Sequence, residues 1–238
     1  MTNDKLQMTN TIISYFRKWW TIIIRPIYFY TKLKDQDWRE GAMSFFLVTA
    51  WILGFFATLL VFVIQYIPVG STLVSGVSGA KLVIVLPVLL TLILVFFGIT
   101  FLILGGLFSF AFFVLLYLVA WCLHYVYMFL GGKGNVNRML QCTLYSGAIV
   151  LAGLIILFLM ALTKYAGLPF DLFKAGYNFF YLMILIYVYG LWAVAGRKVY
   201  NVPKWKAFAG AIVPIFALLI FGFVFDKMVL PKLQPWIT

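Results

Sequence analysis

A chain of 238 residues that is 65% hydrophobic and 10% charged, with a mean hydropathy of +1.08, is not a water-soluble domain, which would carry about a quarter charged residues. Its net charge of +12 would suit nucleic acid in a soluble protein, but in a chain this apolar Lys and Arg mark the cytoplasmic face of a membrane, so nucleic acid is excluded as a partner. Cys122 and Cys142 stand in apolar surroundings without a Cys-x-x-Cys or a His at ligand spacing, so no disulfide framework, metal site or cofactor is expected.

Residues 1–40 read as a cytoplasmic N-terminal segment built around a surface helix. Arg17, Lys18 and Arg25 interrupt the apolar run, and no small-residue cleavage site follows, which argues against a cleavable signal. Asn10, Ser14, Arg17, Lys18, Thr21 and Arg25 recur at steps of three and four, while Ile12, Phe16, Trp20, Ile23 and Ile27 fall opposite. Such a helix lies in the interface plane with Trp19 and Trp20 at headgroup level and its basic face on anionic lipid, or it packs on the protein's own cytoplasmic face. Pro26 disfavours helix in the residue before it and ends the element at Arg25.

A charged connector follows, and then a transmembrane domain over residues 41–238. Its hydrophobic segments cover residues 42–67, 82–104, 107–130, 140–162, 177–195 and 207–230. After Lys81, the stretch to residue 130 contains no charged residue. As one helix it would reach roughly 75 Å, more than twice the hydrocarbon core, so it is expected to fold back or break at Pro87, Gly98, Gly105 or Gly106. With the N-terminus inside, six crossings place eleven of the eighteen basic residues on the cytoplasmic side, and five crossings place thirteen there. The positive-inside rule therefore favours five net crossings, a C-terminus outside and a re-entrant helix near residues 82–104. The expected fold is an all-α polytopic bundle preceded by an amphipathic interfacial helix.

Several residues then carry a family resemblance. His124 stands six residues before Leu130, which leads into Gly131-Gly132-Lys133-Gly134, and Tyr145-Ser146 follows inside the next span. Pro26, with aromatics after it, precedes the first span. Gly190-Leu191, Lys206-Ala207 and Pro214 mark the last two spans. Together and in this order, from about residue 24 to the end, they resemble the Yip1-domain family in its prokaryotic form. The resemblance implies a bundle of five crossing helices in a prokaryotic plasma membrane with a cytoplasmic N-terminus. Eukaryotic members act in vesicle traffic and contact small GTPases through a long cytosolic N-terminal region; this chain departs from them there, so a GTPase partner does not carry over.

The remaining chemistry is sparse. A phosphate-loop reading of Gly131-Gly132-Lys133-Gly134 fails because residue 127 is Tyr where Gly is required and Asn135 replaces Ser or Thr; a tight cytoplasmic turn is expected. His124, the only histidine, has no obvious ionisable partner, since Asp171 and Asp226 belong to the opposite ends of their spans. Arg17, Lys18, Arg25, Lys133, Arg138, Arg197, Lys198, Lys204 and Lys206 are candidate contacts for anionic headgroups. Small residues from Gly147 to Gly153 and from Gly190 to Gly196 suit close helix approach, inside one bundle or in a homo-oligomer. No His-Glu-x-x-His, Gly-x-Ser-x-Gly or Asp pair appears on a span, so no catalytic residue is assigned and an enzyme is not expected. The reading is a non-catalytic membrane scaffold or adaptor that organises lipids or a membrane-protein partner. The alternative is a transporter or lipid-translocating protein using a broken helix at residues 81–106.

Overall fold

In hydrocarbon, backbone N–H and C=O groups must find partners inside the chain, and a sequence with so few charges does this with helices. The computed structural model describes residues 2–75 and 80–237. Helix α1 (Thr2–Ile24) is followed after Arg25 by α2 (Pro26–Lys32), with Pro at its start, where a missing N–H costs least. α3 (Gly41–Val61) continues through a π-turn into α4 (Ile67–Ser75), and α5 runs from Ala80 to Phe129. α6 (Val136–Ser146) joins α7 (Gly153–Ala166) through a stretch of 3-10 helix. α8 (Phe170–Tyr200) ends on left-handed Asn201, and α9 (Lys204–Val224) passes through a second π-turn into α10 (Leu230–Ile237). Five helical stretches are long and apolar enough to cross a membrane: Gly41–Gly70, Val83–Phe129, Val136–Ala166, Phe170–Tyr200 and Lys204–Pro235.

The five crossings stand, but the expected break does not. Residues 80–129 form one helix of 50 residues, and Pro87, Gly98, Gly105 and Gly106 all lie within it. Pro87 comes in the third turn, where its missing N–H frees only the Val83 carbonyl, and the Thr91 hydroxyl donates to the Pro87 carbonyl at 2.9 Å. Gly in a helix costs about 1 kcal/mol relative to Ala, whereas opening the helix in apolar surroundings strands several backbone groups at a greater cost each. Gly105 serves packing instead. A Cβ there would stand 2.5 Å from the Trp51 ring, and one on Gly54 would stand 2.8 Å from the Gly105 Cα. This is the crossing point of α3 and α5. The long helix replaces both a re-entrant segment and a separate sixth element.

The bundle is registered by a few close pairs. Gly147 packs on Phe46, Gly153 on Leu53, and the Trp192 indole N–H donates to the Ser146 Oγ at 2.9 Å. Against these, α1 runs across the spans and not along them. Tyr15 Oη lies 2.8 Å from Thr49 Oγ1 on α3, the Trp19 indole donates to the Ala148 carbonyl at 2.9 Å, and the Tyr187 hydroxyl on α8 donates to the Ile22 and Ile23 carbonyls. Thr49, Ala148 and Tyr187 sit within about a turn or so of one depth, as the registering pairs fix it. At about 100° per residue, Tyr15, Trp19, Ile22 and Ile23 form the face toward the bundle. Ile12, Ile13, Phe16, Trp20 and Ile24 form a second, exposed apolar face, and Arg17 and Lys18 are exposed on a third. The packing reading of this helix is met by its inward face, and the rest of its wide apolar arc is exposed. Ile23 and Trp19 belong to the inward part, which the simple two-sided pattern does not separate. The Asn10 side chain lies outside the described ones.

Candidate functional site at the basic end

Most of the motif residues converge at one end of the bundle, where α5 stops. Its last turn closes with Gly131 at φ +82°, the Gly132 N–H bonding the Tyr127 carbonyl at 2.9 Å and the Gly131 N–H bonding the Met128 carbonyl at 3.0 Å. This is a Schellman cap, which needs a residue free to enter the left-handed region. Lys206 completes it by donating from Nζ to the Leu130 carbonyl at 2.8 Å. The Lys133 N–H then bonds the Tyr200 carbonyl at 3.1 Å, and Asn135 caps α6 by accepting from the Asn137 N–H at 2.9 Å.

Gly132 and Gly134 let this turn lie flat on Tyr200. A Cβ on either would come within 2.7 Å of that residue's side chain. His124 Nδ1 sits 2.6 Å from the Tyr200 hydroxyl. Tyr127 stacks on Tyr200 with ring centroids 5.3 Å apart and donates its hydroxyl to the Ala207 carbonyl at 2.8 Å and, at 3.3 Å, to that of Trp192. Its ring occupies the space of two missing side chains, since a Cβ on Gly196 or Gly210 would stand 2.2 or 2.5 Å from it. The ends of α5, α8 and α9 are thereby locked around one aromatic pair.

The other motif residues support the same end. Tyr145 meets Phe29 of α2 edge to face at 5.1 Å, and its hydroxyl would stand 3.1 Å from a Cβ on Gly41. Tyr30 is fully buried, donates to the Cys142 carbonyl at 3.2 Å, and has its hydroxyl pKa raised well above the ordinary value by that burial. Pro26 starts α2, and Pro214 is buried within α9. Among the described residues no His, Cys, Asp and Glu group gathers at metal-binding spacing.

The candidate lipid contacts divide. Lys206 is held inward by the Leu130 carbonyl, and Arg138 lies 3.7 Å from Asp35, so the structure engages both within the chain. Lys206, half-buried, thus serves as a helix cap. Arg17, Lys18, Arg25 and Lys133 are exposed. Arg197, Lys198 and Lys204, also exposed, line a cavity of about 960 Å³ whose other walls include Ile27, Val194 and Phe208. At the opposite end, Asp226 accepts from the Asn178 amide at 3.1 Å and pairs with Lys174 at 3.4 Å and Lys227 at 3.8 Å.

Tyr127, Trp192 and Tyr200 escape the sequence reading, which passes over Tyr127 as a failed phosphate-loop position. The available signal is Gly196 and Gly210, two glycines within two turns of the loop that joins successive spans. Such a pair announces a bulky side chain from a third helix.

A family model described as the Yip1 domain matches residues 20–225. No curated protein and no solved structure matches the chain.

Proposed function

The chain belongs to the Yip1-domain family, and from that premise we propose that it is a non-catalytic membrane scaffold whose basic face lies on anionic lipid at the cytoplasmic surface. One observation carries this reading: His124, Gly131, Gly132, Gly134, Tyr145 and Lys206 are engaged in holding helix ends together, while the groups left facing outward are the apolar and basic sides of α1 and a cluster of exposed cations. An in-plane helix with an apolar flank and basic residues binds the headgroup layer, and a locked bundle gives it a fixed platform. The partner is a membrane protein or a second copy.

The translocator reading drew its support from a broken helix, and α5 is continuous. The groove beside Pro87 is lined by Phe62, Tyr66, Leu86, Leu90, Ile93 and Phe96, a wall without a polar track. The test is to extract the tagged protein from its own membrane in polymer-bounded discs and compare the co-extracted lipid and protein with the bulk. The scaffold reading expects anionic lipid enriched or a partner at stoichiometric yield. Bulk composition with no partner overturns it.

A further inference from the structure

We propose that the cavity between α2, the end of α8 and the start of α9 holds one anionic glycerophospholipid, with its phosphate among Arg197, Lys198 and Lys204 and an acyl chain along Ile27, Val194 and Phe208. The proposal rests on the scaffold reading and names the ligand of its basic face.

Charge comes first. Several cations of this end have internal partners: Arg138 has Asp35, Lys206 has the Leu130 carbonyl, Lys32 lies 4.6 Å from the Tyr28 ring centre, and Arg39 lies 5.3 Å from that of Trp38, while Lys34 and Lys133 are exposed and stand apart from the cavity. Among the described residues, Arg197, Lys198 and Lys204 form no ion pair, yet all three border a single cavity. Three like charges around one space repel, and an anion seated among them turns that repulsion into attraction. A guanidinium and two ammonium groups provide the fork and point charges that phosphate takes. The free amides in the first turn of α9 open at the same wall and add to that preference without creating it.

Size and lining identify the source of the phosphate. About 960 Å³ is far more than an inorganic phosphate fills and lies at the upper end of the range for small-molecule pockets. Ile27, Val194 and Phe208 would be poor walls for a soluble anion and good ones for an acyl chain. Phe208 is fixed edge to face against Tyr189 at 5.5 Å. The cavity also stands where two spans end, beside Trp205, which is 66% exposed. That is the level of headgroups and of interfacial aromatics.

The test is native mass spectrometry of the full chain in detergent, titrated with phosphatidylglycerol or phosphatidylcholine of the same acyl chains. The wild type is expected to retain one phosphatidylglycerol per chain in preference to phosphatidylcholine. The triple variant Arg197→Gln, Lys198→Gln, Lys204→Gln should bind it about a hundredfold more weakly or worse. Lys32→Gln, Lys34→Gln, Arg39→Gln removes the same charge at the same end outside the cavity and should retain it. Ile27→Glu, an exposed wall position, should also lose it while all three cations remain. Equal retention of both lipids by the wild type, equal loss in the two triple variants, or displacement by millimolar glycerol phosphate as readily as by lipid overturns the proposal. Failure here with anionic lipid still enriched in the native discs leaves the scaffold reading standing. A bound lipid here with neither enrichment nor a partner in the discs overturns that reading alone.

Discussion

Tyr127 shows how single residues set the architecture of the basic end. Gly196→Ala would place a methyl group 2.2 Å from its ring, an overlap that the stacked Tyr200 prevents the ring from escaping. The substitution is expected to destabilise by about 1–3 kcal/mol, read as a lower thermal midpoint in detergent, and Tyr127→Ala combined with it should be less than additive. Tyr127→Phe keeps the ring and removes the hydroxyl bond to Ala207, with an expected cost of about 1 kcal/mol. A destabilisation by Gly196→Ala that persists unchanged in the Tyr127→Ala background would contradict the packing argument. The sequence makes the motif glycines and His124 conspicuous, yet their shared partner Tyr200 lies 76 residues from His124. Spacing along the chain reveals a local turn and cannot reveal which distant ring that turn lies on.

At the scale of elements, periodicity locates α1 and its kink at Arg25–Pro26, and hydropathy locates the spans. It fails at α5 because Pro and Gly permit a break without requiring one, and breaking would strand backbone groups in apolar surroundings. Pro87 costs the helix one internal hydrogen bond, less than a full break would strand, and Gly105 is where another helix crosses. The same reasoning predicts opposite behaviour for adjacent indoles on α1. Trp20 is 61% exposed, while Trp19 is bonded to the Ala148 carbonyl. In single-tryptophan variants reconstituted with lipids brominated near the headgroup, Trp20 emission should be strongly quenched and Trp19 emission much less so. Equal quenching would mean that α1 does not rest on the bundle as described.

For the whole molecule, five helical stretches long and apolar enough to cross a membrane predict an odd number of crossings. Reporters must respect the packing: Gly134→Cys would strike Tyr200, whereas Lys133, Trp205 and Ala166 are exposed. In a background lacking Cys122 and Cys142, Lys133→Cys and Trp205→Cys should be labelled from one side of the membrane and Ala166→Cys from the other. Labelling of Lys133→Cys and Ala166→Cys from the same side would break the five-span topology. Substituting Lys133 and Trp205 leaves the helix-end contacts at Tyr200 and Leu130 in place, because Lys133 reaches Tyr200 through its backbone N–H.

Helix α1 lies across three spans at the level of Thr49, Ala148 and Tyr187, well inside the ends of those helices. With its side chains it is about 10 Å wide, and that width is added to the molecule's cross-section only at the level where it crosses. Lipid around the molecule therefore meets a broader perimeter at the level of this helix than at the far ends of the spans, and its chains must accommodate that difference.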